Sequence, residues 1–119
     1  MKSDTASTPT KLRVQIHDFL EHIEVERNLS RLTVRNYRHY LSRFAQWFES
    51  VGFEDIGDLD LDKMLKYRVF LSQYTDEHGD SLTKKTQGYH IIALRSFLKW
   101  LTKRDYKVLA PEKIDLPKA

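Results

Sequence analysis

Four stretches of the sequence repeat apolar residues at every third or fourth position, the spacing that lines one face of a helix rather than the alternation of a half-buried strand. With 4 glycines and 3 prolines in 119 residues, little interrupts them. The chain is therefore expected to be all-α, a compact bundle of four to five helices. A composition of 40% hydrophobic and 31% charged residues suits one small core with a solvated surface.

The first segment runs from about Lys11 to Arg27, with Leu12, Ile16, Phe19, Leu20 and Ile23 as its apolar stripe and Asn28 as its end. The second opens at Ser30, whose hydroxyl suits an orphan backbone N–H, and runs to about Ser50 with Gly52 as its stop. Tyr37, Leu41, Phe44 and Phe48, flanked by Val34, Tyr40 and Trp47, make a broad stripe that must be buried. Asp60 caps a third helix from Leu61 to about Tyr74. Met64, Leu65, Tyr67, Val69, Phe70, Leu71 and Tyr74 make it apolar nearly all round, so it is expected at the centre of the bundle. After a polar loop around Gly79, the fourth helix begins near Ser81 or Thr83 and reaches about Arg104, with Tyr89, Ala93, Phe97, Trp100 and Leu101 as its stripe. Residues 1–10 read as a flexible tail, 11–105 as the helical domain, and 106–119, punctuated by Pro111 and Pro117, as an extended linker.

Several function classes drop out on residue content. There is no cysteine, which removes disulfides, thiolate metal sites and cysteine nucleophiles together and fits a cytoplasmic protein. The longest uncharged stretch in the body of the chain, Thr86 to Leu94, is far short of the roughly 18 apolar residues of a spanning helix, so no membrane segment is expected. His17, His22, His39, His78 and His90 never pair at helical spacing, and His17 with Glu21 reads as a surface polar pair. The glycines are scattered rather than clustered into a phosphate loop. No catalytic residue, metal ligand or cofactor site is expected, and the chain by itself is not expected to be an enzyme.

Charge is distributed unevenly. The segments 11–27 and 60–77 each carry one more carboxylate than lysines and arginines, whereas residues 31–49 hold four arginines against one glutamate. Residues 83–104 hold six lysines and arginines and no carboxylate at all, so that helix makes no Glu–Lys pairs of its own. A net charge of only +3 thus conceals two cationic helix faces, the footprint of a module that grips phosphates. On the second helix the face holds Arg31, Thr33, Arg35, Arg38 and Ser42; on the fourth it holds Lys84, Lys85, Thr86, Arg95 and Lys99. Asn36, Gln46 and Gln87 are suited to adenine edges if they point outward. Gly88, beside Lys84 and Arg95, marks a close backbone approach, either to a partner or to a neighbouring helix.

Three motifs in order carry a family resemblance. Ser30-Arg31-Leu32-Thr33-Val34-Arg35-Asn36-Tyr37 continues through Leu41 to Phe44. Ile91-Ile92-Ala93-Leu94-Arg95-Ser96-Phe97 runs on to Leu101, and the sequence ends in Ala110-Pro111 and Leu116-Pro117-Lys118. Together these resemble the N-terminal core-binding, or SAM-like, domain of tyrosine recombinases and phage integrases, with Ala110 where that family has asparagine. The resemblance implies a four- or five-helix bundle forming one jaw of a clamp on duplex DNA, the second and fourth helices at the major groove. It also implies that 106–119 leads to a separate C-terminal catalytic domain, and that other recombinase protomers are partners in a synaptic complex, the isolated domain being monomeric. Catalysis in the family needs a His-x-x-Arg motif and a tyrosine nucleophile, and no histidine here is followed by arginine at the third position. Two other readings fit the same residues: a protein-interaction module with an aromatic groove around Trp47 or Trp100, and a stand-alone DNA-binding protein derived from an integrase.

Overall fold

The computed structural model describes residues 8–116. Most of the expected N-terminal tail and the terminal Pro117-Lys118-Ala119 of the linker lie outside the described residues. The fold is all-α, with four α-helices, short π and 3-10 turns, and no strand among the described residues. The chain divides into two compact units, one ending at Ile56 and one beginning at Gly57.

In the first unit, α1 spans Lys11–Glu21, capped by Thr10, whose hydroxyl accepts the Arg13 N–H at 3.2 Å. The expected stripe is buried: Leu12, Ile16, Phe19 and Leu20, with Ile23 one turn on. The helix expected to reach Arg27 instead widens into a π-helical turn over His22–Glu26. Asn28 ends it in the left-handed region at φ 54, a conformation asparagine tolerates better than most residues. Ser30 then caps α2, Arg31–Ser50, its Oγ accepting the Thr33 N–H at 3.1 Å. Val34, Leu41, Phe44, Ala45, Trp47 and Phe48 are buried on this helix, and Phe44 stacks on Phe48 at 5.2 Å between ring centroids. Gly52 at φ 95 stops it, and the Phe53 N–H returns to the Phe48 carbonyl.

In the second unit, α3 spans Leu61–Gln73 behind its Asp60 cap, whose Oδ1 accepts the Lys63 N–H at 2.9 Å. Its expected burial on nearly every side is not what the structure has. Met64, Tyr67 and Leu71 form one buried face, while Leu61, Leu65 and Val69 are 51%, 61% and 46% exposed. The helix is covered on one side only, and the apolar row at i, i+4 and i+8 faces outward. In the connecting loop, Asp76 Oδ1 accepts the backbone N–H of His78 and of Asp80, and Gly79 takes φ 81.

Thr83 caps α4, Lys84–Lys103, its Oγ1 accepting the Thr86 N–H at 3.1 Å. The buried arc comprises Gly88, His90, Ile91, Ala93, Leu94, Phe97, Leu98 and Leu101. It is rotated from the expected stripe: Tyr89 is 40% exposed, and Trp100 is half-buried with the Arg104 guanidinium 4.9 Å from its ring centroid. His90 sits inside the arc with Nδ1 bonded to the Thr86 carbonyl at 2.7 Å. Past α4, part of the segment read as an extended linker takes up local structure. Pro111–Lys113 forms a 3-10 turn, and Pro111 and Ile114 are buried. No helix among the described residues is long and apolar enough to cross a membrane.

Candidate nucleic-acid interface

The two basic faces belong to different units and are described separately. On α2, Arg31, Arg35 and Arg38 are exposed, and Thr33 and Ser42 are half-buried. Arg31, Arg35, Arg38 and Ser42 follow at intervals of four, three and four, so they line one side of the helix. Arg38 and Ser42 reach the rim of a shallow hollow between α1 and α2, shared with Arg13, Ile16, His17 and Leu20. The Thr33 hydroxyl belongs to the cap, accepting from Ser30 Oγ at 3.0 Å. The single carboxylate of α2, Glu49, is held by Arg13 at 2.9 Å and so is turned to α1.

His39, next to Arg38, is held below the ordinary histidine range, first by partial burial and then by the positive charge of Arg43. It is therefore neutral near pH 7. The cationic character of this face comes from arginine alone.

On α4, Lys84, Lys85 and Lys99 are exposed, and Thr86 is half-buried with its hydroxyl accepting from Thr83 Oγ1 at 3.1 Å. The two basic helices thus start the same way, with a capping hydroxyl bonded to a threonine three residues on. Among the described residues, none of the salt bridges involves Arg31, Arg35, Arg38, Lys84, Lys85 or Lys99. Arg95 stands apart from this set: it is half-buried, and its Nε donates to the Pro111 carbonyl at 3.0 Å.

Gly88 is buried in a groove between α3 and α4, lined by Arg68, Leu71, Ser72, Lys84, Gln87 and Ile91. The Gln87 side-chain N–H donates to the Leu82 carbonyl, so this amide is committed to the start of its own helix. Sequence reasoning passed over Lys103, which is exposed four residues beyond Lys99 and was legible from that spacing. It also passed over Arg68, because the stretch 60–77 around it counts one more carboxylate than lysines and arginines.

Trp47 packs on Phe44 and Phe48 and is nearly enclosed, and Trp100 is half-buried against Phe97 with Arg104 over its ring. His17, Asp18 and Glu21 bring their polar atoms within 4.8 Å of one another, but all three are exposed at the surface of α1.

Residues 16–105 match the family model described as the phage integrase, N-terminal SAM-like domain. The chain belongs to this family. It is 30% identical over 96 residues to a protein named tyrosine recombinase XerC from Xanthomonas campestris pv. campestris, covering 81% of this chain and 28% of that one. Another XerC, from Proteus mirabilis, is 32% identical over 111 residues, covering 93% of this chain and 34% of the relative. A tyrosine recombinase XerD from Corynebacterium glutamicum is 32% identical over 90 residues, 76% of this chain and 29% of that protein. The chain thus spans about three-tenths of the length of these relatives. In fold it is similar to the crystal structure of the N-terminal domain of a phage integrase/site-specific recombinase from Haloarcula marismortui. The TM-score is 0.74 at 21% identity, over 92% of this chain and all of that one.

Proposed function

We propose that this chain is the DNA-gripping domain of a site-specific tyrosine recombinase. It holds duplex DNA at a recombination half-site so that a separate catalytic domain can cut and rejoin strands. The observation that carries the reading is the pair of cationic helix faces with no carboxylate partners of their own. Arg31, Arg35 and Arg38 with Ser42 serve on α2, and Lys84, Lys85 and Lys99 on α4. Thr33 and Thr86 add hydroxyls at the helix starts, where backbone N–H groups also favour an anion. Arginine forks suit phosphate pairs and guanine edges, and lysines act as point charges on the backbone. Working on DNA places the protein in the cytoplasm. Other protomers of the same recombinase are its partners in the synaptic complex, with the isolated domain monomeric.

The test is a titration of a fluorescent duplex with the 119-residue chain over a salt series. If about six phosphates are neutralised, log affinity falls against log salt with a slope near −5. Amide shifts should concentrate on residues 31–43 and 83–99. A flat salt response, or no binding at low salt, overturns the reading in favour of a protein-interaction module.

A further inference from the structure

The strongest unassigned feature of the second unit is the way its C-terminal segment is held. Two arginines from different helices reach main-chain carbonyls of the same short stretch. Arg95 on α4 donates Nε–H to Pro111, and Arg68 on α3 donates from its terminal nitrogen to Asp115. Between these two points the chain makes its own turn, with Lys113 N–H on Ala110 and Ile114 N–H on Pro111, each at 3.0 Å. Ile114 is only 4% exposed and shares a hollow with Leu61, Met64 and Leu65 of α3, while Pro111 is buried beside the Arg95 contact. Leu61 and Leu65 of the outward apolar row line this hollow while the rest of their surface stays exposed.

We propose that residues 110–116 form a strap fastened to the second unit, and that Arg95 and Arg68 are positioning residues for it rather than members of the phosphate-contacting set. Each fastening is a charged donor on a neutral carbonyl, a stronger class of hydrogen bond than the neutral pairs inside the turn. Fastening at both ends, with an isoleucine anchored between, fixes where and in what direction any following chain leaves the unit. The exit point then moves rigidly with α4, the helix that bears the larger basic charge. This holds whether or not the basic faces bind DNA, so it stands apart from the functional reading above.

Amide hydrogen exchange and 15N heteronuclear relaxation on the 119-residue chain test the strap directly. In the unsubstituted protein, Lys113 and Ile114 are expected to show relaxation like the interior of α4 and measurable exchange protection. Arg95→Ala is expected to lower protection at Ile114 about tenfold, the scale of one charge-assisted hydrogen bond, with α1 and α2 unchanged. Arg95→Lys, which keeps a charged donor on a long stem, is expected to restore most of it. Arg68→Ala is expected to loosen residues 114–116 more than residues 110–111. In the salt-dependent DNA titration, Arg95→Ala is expected to leave the slope unaltered. A strap as mobile as a free tail in the unsubstituted protein would overturn the proposal. So would unchanged protection in Arg95→Ala together with a slope about 0.9 shallower, which makes Arg95 a phosphate contact.

Discussion

Arg13 at the start of α1 grips Glu49 at the end of α2 through both carboxylate oxygens, with three N···O distances from 2.9 to 3.3 Å. Thr10 adds a fourth hydrogen bond to the same carboxylate at 3.0 Å. The residues are 36 apart in sequence, and their pairing sets the first turn of one helix beside the last turn of the other. It also takes the only carboxylate of α2 away from the helix's arginines.

Glu49→Gln should therefore act on stability. The pair is partly buried and forked, so its loss is expected to cost about 1 kcal/mol, above the median for exposed pairs. A urea denaturation series comparing Glu49→Gln, Arg13→Gln and the double variant measures the coupling. A coupling energy near zero would mean the forked geometry contributes nothing.

The capping hydroxyls of the two basic helices should behave alike. Ser30→Ala and Thr83→Ala each remove the acceptor for the backbone N–H of a threonine three residues on, at a cost of about 1 kcal/mol. Replacement by Asp at either position should retain most of the stability. Thermal denaturation followed by circular dichroism distinguishes these outcomes, and an Ala variant as stable as the original would remove the cap from the account.

Charge removal on the basic faces separates gripping from folding. Lys99→Gln and Arg38→Gln are each expected to weaken duplex binding by similar factors on unrelated sequences and to make the salt slope shallower by about 0.9, leaving thermal stability within about 0.5 kcal/mol. Both residues are exposed and have no carboxylate to lose. An effect confined to one DNA sequence would reassign the residue to base reading.

His39 gives a pH dependence of definite sign. Burial and then Arg43 lower its proton affinity in the folded state below the ordinary 6.5. The unfolded chain therefore takes up the proton first as pH falls. Above pH 6.5 both states are neutral and the residue contributes nothing; below it the folded state loses stability until the folded protein is protonated in turn. An NMR titration of the His39 ring should give a midpoint under 6.5, moving upward in Arg43→Gln. A midpoint at or above 6.5 would contradict the assignment.

Helix limits and caps were legible in the sequence because their causes are local. Ser30, Thr83 and Asp60 each bond a backbone N–H three residues on, and Asn28 and Gly52 stop their helices by their own φ angles. The unequal charge of the four helices was likewise a matter of composition, and the family motifs lie within single helices and the C-terminal segment. The direction of individual side chains was not, because it depends on what covers each face. Leu65 and Val69 read as core by pattern, yet they face outward on a helix covered on one side only.

By itself, then, the sequence determined four helices, their starts and stops, and which two carry the most positive charge, since each of these follows from interactions within a few residues. Only the tertiary structure decided that Arg95 is drawn to a carbonyl sixteen residues away and that Gly88 is buried in a helix–helix groove. It alone decided that Pro111 and Ile114 are buried in a segment whose prolines suggest an extended linker. Periodicity ranks which faces are apolar, but burial and hydrogen bonding between distant residues are settled by what packs against them.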